Sequence, residues 1–289
     1  MTAGPRISVI IPHYNDEERL VKCVRALDAQ RGVSRDEYEI VVGDNDSPIG
    51  TDAVQQMVGD LARVVHVPER GAGPARNAAV ANSSGSILAF IDADCHPHPD
   101  WLREGVAKLS PGQVVGGCIR VSVPDEANMS GAEAFERVFA FDNRQYVERK
   151  NFSVTANLFC ERTTFDAVGP FKLHVSEDKD WCHRAVEKGY AMAYAPAAIV
   201  DHPARENWDA MLGKWARIDR ETYALARQNG WSNAKWRIYA ALLPLSILPH
   251  AIKCLRSPTI KGVSTRARAI AMLVRLRMWR FWDYQRLAS

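Results

Sequence analysis

Apolar positions in the first third of the chain follow two alternating rhythms. Short apolar runs at Ile7–Ile11, Glu39–Val42, Val64–Val67 and Ile87–Ile91 have the length and β-branched content of buried strands. Between them, Glu17–Gln30 places Leu20, Val21, Val24 and Leu27 at helical spacing, and Val54–Leu61 and Pro74–Ala81 also read as helices. Strand and helix in turn, with strands apolar throughout, predict an α/β fold with a mostly parallel sheet covered on both faces. Ligands of such sheets bind beyond the carboxyl ends of the strands. The segments at those ends are "PHYND", "GDNDS", "PERGAGPARN" and "DADC". All four are polar, so they predict one site built from four loops.

Farther on, Val114–Gly117 reads as a strand closing on a bend, and Asn128–Arg149 as partly helical. "SVTANLFCERTTFDAVGPF" gives a strand and a short helix ended by Gly169-Pro170. "SEDKDWCHRAVEKGY" is an acidic turn entering a helix that Gly189 closes, and "MAYAPAAIVDH" is a last strand or pair of strands. The expected boundary falls in "QNGWSNA", giving a catalytic domain over 1–230 and a basic, apolar helical region over 231–289.

Composition narrows the class without naming it. The 47% hydrophobic and 25% charged residues are those of an ordinary globular protein. "MTAGPRISVII" has too short an apolar run for a secretory leader, and six scattered cysteines without a CxxC pair suit reduced thiols in the cytoplasm. The net charge of +3 conceals an asymmetry: Lys235–Ser289 holds eleven Lys/Arg and one acid, +10, leaving −7 for the rest. A basic tail on an acidic body predicts an anionic surface as partner. No recognition motif accompanies the charge, which argues against nucleic acid.

The candidate chemistry centres on "AFIDADCHPHPDWL". If the strand persists, Asp92 and Asp94 at i and i+2 face one side, as hard oxygen ligands for Mg²⁺ or Mn²⁺ shared with a phosphate. The plainer reading is a strand end with solvated acids. Zinc at Cys95, His96 and His98 is disfavoured by Pro97 and Pro99 and by the lack of a second ligand cluster. "RGAGPARN" imitates a dinucleotide fingerprint, but Arg76 stands at the third glycine position and Pro68-Glu69-Arg70 separates it from the strand. A helix start favouring an anion, with Arg76 beside it, is the alternative.

Taken together, "ISVIIPHYNDEERL", "EIVVGDNDS", "RGAGPARNAAV", "SSGSILAFIDADCHPHPDWL", "SVTANLFCERTTFDAVGPF" and "SEDKDWCHRAVEKGY", in this order, resemble the family 2 glycosyltransferases. The likeness extends to bacterial exopolysaccharide (succinoglycan-type) glucosyltransferases. It implies a GT-A fold and an inverting, metal-dependent transfer of a hexose, glucose first, from a UDP-sugar. It further implies a lipid-linked oligosaccharide as acceptor, at the cytoplasmic face of the membrane. Pro12, Tyr14 and Asn15 would line the uracil site and Asp44 would hydrogen-bond the base, although Gly43 departs from the family's usual acid or hydrophobe. Arg76 would reach the nucleotide, Asp92 the ribose or metal, and Asp94 the Mn²⁺ or Mg²⁺ bridging the diphosphate. Asn157 would lie near the sugar or acceptor, Glu177 and Asp178 would form the acidic pair with Asp178 as base, and His202 would be a further metal ligand. On the residues alone, the acidic turn could equally serve helix stability.

Two other classes remain on the sequence. A sugar-1-phosphate nucleotidyltransferase would need a glycine- and lysine-rich loop after the first strand, where "PHYND" stands. A non-catalytic nucleotide- or glycan-binding protein would bind without turnover. In the tail, Trp236–Ile252 is broken by Pro244 and Pro249 and falls short of a spanning helix. "TRARAIAMLVRLRMWRFWDYQRLA" gathers Ile270, Leu273, Val274, Met278 and Phe281 on one face, with Arg277 in its middle. The expectation is that it rests on an anionic membrane, packing within the protein being the alternative.

Overall fold

The computed structural model describes residues 4–173 and 176–289, so the first residues of "MTAGPRISVII" lie outside it. The chain forms two compact units, one of residues 1–120 and 142–202, the other of 121–141 and 203–289. This differs from the expected division near residue 230. The helices after residue 203 pack with the 121–141 segment, a contact that a reading along the chain does not reveal.

The first unit is built on an eight-stranded sheet. Its strands are β1 (Ile7–His13), β2 (Tyr38–Asp44), β3 (Arg63–His66), β4 (Ile87–Phe90), β5 (His96–Pro97), β6 (Gln113–Ser122), β7 (Leu158–Glu161) and β8 (Ala191–Pro203), the last residues of β6 and β8 passing into the second unit. Their spatial order is β3-β2-β1-β4-β7-β6-β8-β5. The four early strands are parallel, as their apolar runs predict. β7 pairs antiparallel with both β4 and β6, and β5 antiparallel with β8, so the sheet is mixed rather than mostly parallel. Apolar patterning fixes that a strand is buried on both faces, not which way it runs.

Among the described residues seven helices accompany this sheet: α1 (Glu17–Asp28), α2 (Thr51–Val58), α3 (Ala72–Ala81), α4 (Trp101–Lys108) and, after the α5 of the second unit (Gly131–Phe139), α6 (Asn143–Lys150), α7 (Arg162–Val168) and α8 (Glu177–Glu187). Ile10, Val41, Leu88 and Phe90 join Phe165, Phe171 and Trp181 in one buried cluster. Phe171 meets Phe90 edge-on at 5.5 Å, a geometry that adds to simple burial. α3 crosses β2 so closely that a Cβ on Gly43 would overlap the Ala75 carbonyl. This accounts for a glycine at this position.

The second unit holds α5, α9 (Trp208–Gln228), α10 (Asn233–Leu245), α11 (Ile247–Arg256) and α12 (Val263–Leu287). Buried charge pairs hold it together. Glu136 receives Arg205 at 3.0 Å and Lys214 at 2.8 Å, and Asp219 accepts the Arg280 guanidinium at 2.6–3.1 Å. The expected membrane face of α12 is divided: Leu273 is fully buried and Ile270 and Phe281 pack against buried clusters, whereas Val274 and Met278 are exposed. α10 and α11 run on through Ser246 with little interruption, as Ser246 stays helical at φ −70° and ψ −9° and its N–H donates to Leu242. Pro244 lies in the last turn of α10, and Pro249 in the first turn of α11, where an N–H is dispensable. Contrary to the sequence expectation, Asn233–Arg256 is therefore 24 residues with mean hydropathy 1.6, long and apolar enough to cross a membrane.

Replacing Gly43 by Ala is expected to destabilise the protein by about 1–3 kcal/mol in denaturant titrations, because α3 must lift off β2. Unchanged stability would show that the close approach is dispensable.

Candidate active site

At the carboxyl end of β1, the register places His13 directly beside Asp44 at the end of β2. Asp44 is fully buried and accepts hydrogen bonds from Ser47 Oγ (2.5 Å), Thr51 Oγ1 (2.7 Å) and His13 Nδ1 (3.1 Å). Burial would raise its carboxyl, but these hydrogen bonds outweigh burial and hold it below the usual range. The backbone N–H of Asp16 donates to His13 Nε2 (3.3 Å), and that of Asn15 to Ser47 Oγ (3.0 Å). Asp44 thus anchors the turn that carries Tyr14 and Asn15, and its own oxygens face protein partners, not an open slot. Asn15 itself takes a left-handed φ of 50°.

Asn45 ties the next loop in place. Its Nδ2 donates to the carbonyls of Val67 and Glu69, and its Oδ1 accepts the Gly71 N–H at 2.7 Å. This fixes the start of α3, whose Arg76 points inward and is almost fully buried. Arg76 Nη2 donates to Asp92 Oδ1 (2.6 Å) and Nη1 to Glu177 Oε1 (2.9 Å). Burial opposes its charge, yet the two carboxylates prevail and raise its pKa. Arg76 was expected to reach toward a nucleotide; two of its nitrogens instead hold acids.

β4 ends at Phe90, two residues before the first acid, and Asp92–Cys95 form a turn closed by Cys95 N–H to Asp92 O at 3.1 Å. The expected extended geometry for the pair is therefore absent. Asp92 turns to Arg76, while Asp94 faces His202 on β8, Oδ2 to Nε2 at 3.6 Å. Burial chiefly raises the Asp94 carboxyl; His202 opposes that rise and Asp92 adds to it. The ligand atoms of Asp94, Cys95 and His202 lie within 4.8 Å of one another. Carboxylate and imidazole suit a divalent cation of the Mn²⁺ type. Cys95, set aside on sequence, is thus brought beside the acid, but burial drives its thiol pKa well up and keeps it protonated. His96 is exposed and His98 pairs with Asp201 at 3.0 Å, so neither joins the cluster.

Asp178 follows Glu177 in the first turn of α8 and accepts the Lys179 N–H at 2.7 Å. Burial, and then the adjacent Glu177 charge, push its carboxyl up to about 6. That value suits a group that takes a proton near neutral pH. A cavity of about 240 Å³ is lined by Pro12, Tyr14, Asn45, Arg76, Asp92 and Asp94, together with His13 and Asp16. A larger hollow of about 810 Å³ lies at the amino ends of the strands, around Tyr38, Glu39 and Arg63, away from these loops. Asn157 does not reach the cavity. It is fully buried, accepts Trp101 Nε1 (2.9 Å) and donates to the carbonyls of Cys118 and Ala198. His13 and Asn45 were not foreseen, although both stand inside the quoted loop motifs. Only the β1–β2 register reveals that His13 faces Asp44.

The cavity lies at the carboxyl ends of parallel strands, where sheets of this kind take their ligands, and Asp94 on its wall belongs to a carboxylate–imidazole cluster, an arrangement that points to a transferase. Residues 8–173 match the family described as Glycosyl transferase family 2. The chain is 37% identical over 227 residues to glycosyltransferase AglE of Haloferax volcanii, covering 75% of this chain and 72% of that protein. It is 25% identical over 273 residues to an undecaprenyl-phosphate 4-deoxy-4-formamido-L-arabinose transferase of Klebsiella pneumoniae, covering 93% of this chain and 73% of that one. Among solved structures, the mannosyltransferase PcManGT of Pyrobaculum calidifontis, in complex with GDP-Man and Mn²⁺, superposes with TM-score 0.60 at 21% identity, covering 99% of this chain and 86% of that one. The protein belongs to glycosyl transferase family 2 and has the GT-A fold, as its motifs imply.

Replacing Arg76 by Met leaves Asp92 and Glu177 facing each other without a cation, and should cost about 3–5 kcal/mol of stability by thermal or chemical denaturation. Asp94→Asn, which removes no buried ion-pair fork, should change stability by less than about 1 kcal/mol. Equal losses for the two variants would contradict the assignment of Arg76 as the clamp.

Proposed function

We propose that the protein is an inverting, metal-dependent hexosyltransferase that moves glucose from a UDP-sugar to a lipid-linked oligosaccharide. Its setting would be exopolysaccharide-type assembly on the inner face of the cell membrane. The observation that carries the mechanism is the sorting of four acids, two of which, Asp92 and Asp94, line the cavity: Asp92 and Glu177 are bound to Arg76, Asp94 is set against His202, and Asp178, next to Glu177, is pushed up to about 6.

The donor's base and ribose would enter the cavity between Tyr14 and the α3 start, with the first N–H groups of α3 favouring its phosphates. Asp94 and His202, with Asp92 nearby, would hold Mn²⁺ in preference to Mg²⁺, because the imidazole suits the softer ion. A divalent cation held there would supply positive charge to offset that of the departing diphosphate. Asp178 accepts the proton of the incoming acceptor hydroxyl as its oxygen bonds to the anomeric carbon. Asp92 and Glu177 are engaged by Arg76, so neither stands ready as a covalent nucleophile, which favours a single displacement with inversion. The lipid-borne acceptor is supported by the Klebsiella relative, whose name specifies an undecaprenyl-phosphate transferase. UDP is preferred on the motif resemblance, and GDP-sugars belong in the same test because PcManGT was solved with GDP-Man.

The test is a panel of UDP- and GDP-sugars scored by nucleotide release, with Mn²⁺, with Mg²⁺ and with chelator. Turnover is expected with UDP-glucose and Mn²⁺, and should fall at least about a hundredfold in Asp94→Asn and Asp178→Asn. Folded variants that keep full activity would sink the mechanism. The pH profile is a separate check. Asp178 must be ionised to act, so kcat/KM should fall about tenfold per unit below about pH 6 and level off above it. A rate independent of pH from 5 to 8 would remove Asp178 as the base.

A further inference from the structure

We infer that the outward face of α10–α11 lies flat in the headgroup region of an anionic lipid bilayer. The inference names the surface on which a lipid-borne acceptor would be met, and to that extent rests on the function proposed above. Along Asn233–Arg256, Ile238, Leu242, Leu245, Leu248, Ile252 and Leu255 recur at steps of three or four, which keeps them on one side of the helix. Leu245 and Leu248 are 72% and 71% exposed, and the other four lie between 42% and 68%. The opposite side is committed inward: Trp236, Ala240, Leu243 and Cys254 are all buried. So long an exposed apolar stripe is not ordinary soluble surface.

Charge selects what covers it. Lys235 and Arg237 stand exposed at one end of the stripe, Lys253 and Arg256 at the other, and among the described residues none pairs with a carboxylate. The sequence has no Asp or Glu from residue 222 to residue 282. A second copy of the same face would bring basic rim against basic rim. Anionic headgroups complement the rims while the acyl region receives the leucines.

The geometry also favours lying in the plane over crossing. At 1.5 Å per residue the run is about 36 Å long, enough to span. Its buried side, however, is bound to α12 through Trp236, which stacks on Tyr284 at 4.4 Å and donates from Nε1 to the Tyr284 carbonyl at 2.9 Å. The outer face of α12 exposes Arg275 and Arg286. A spanning α10–α11 would carry that partner and its arginines into hydrocarbon. Placed flat, α10–α11 keeps one face packed and gives the other to lipid, with the arginines and lysines extending to headgroups.

Vesicle flotation of the full chain tests this. Binding to phosphatidylcholine vesicles containing about 30% phosphatidylglycerol is expected to exceed binding to phosphatidylcholine alone by at least about tenfold. Leu245→Glu combined with Leu248→Glu should weaken the anionic-vesicle binding by at least about tenfold. Both positions are exposed, so thermal melting and nucleotide release from the soluble donor should not change. A parent that does not float, or a double variant that floats as well as the parent, overturns the inference. So does a variant that turns a dimer into a monomer by light scattering while vesicle binding stays intact, since the stripe would then be a self-contact. Normal turnover without flotation would remove only this surface; normal flotation without turnover of any nucleotide sugar would remove only the transferase reading.

Discussion

The Arg76 guanidinium, buried between Asp92 and Glu177, is the contact on which the active site depends. It joins the turn after β4 to the first turn of α8, residues 16 and 101 positions away in the chain. Four acids converge here, and without a cation among them they would repel each other at low dielectric. Arginine meets the need because its planar fork serves two carboxylates at once, and it stays charged when desolvated. The inward aim of that side chain depends in turn on α3 lying against β2, which Gly43 permits. A backbone position with no side chain is therefore part of how the charge reaches its place.

The same clamp divides labour among chemically similar residues. Asp92 and Glu177 each accept a hydrogen bond from one guanidinium nitrogen. Asp178, beside Glu177 but without a fork of its own, is lifted to about 6 by burial and by that neighbouring charge. Asp94 is raised by burial as well, with His202 opposing the rise. Acids whose environments push their proton affinities apart can take different roles in one reaction. Asp44 shows the opposite case: three donors stabilise it so fully that it serves as a structural anchor behind His13.

Much of this was legible because strand ends and loops are local features. The apolar runs located β1 to β4, and the polar segments after them located the cavity. The resemblance of six motifs pointed to the family, and with it to Asp94, Asp178 and His202. What the sequence could not carry were relations between distant residues. The i, i+2 spacing of Asp92 and Asp94 implied a common face only if the strand persisted, and it stops at Phe90. Asn157 looked available because a polar residue inside "TANLF" has no apparent partner in sequence. Its partners are Trp101 and two carbonyls from other strands. Strand direction was equally hidden, since β7 and β6 are as apolar as their parallel neighbours.

The C-terminal helices show why composition and periodicity alone do not select a membrane face. α12 has the arginines and tryptophans of an interfacial helix, and its apolar residues do share a side. Leu273, Ile270 and Phe281 on that side pack within the protein while Val274 and Met278 stay exposed, and the neighbouring Arg280 is paired with Asp219, a partner 61 residues away. α10–α11 drew less notice because prolines interrupt it, yet prolines within the end turns of two helices need not break the axis. A pattern states how much apolar surface a helix owns; only packing states how much is already spoken for. On that criterion the face left to a lipid surface is the one carrying Leu245 and Leu248, and the basic residues at its two ends, unmatched by any acid from residue 222 to residue 282, give it a preference for negative charge.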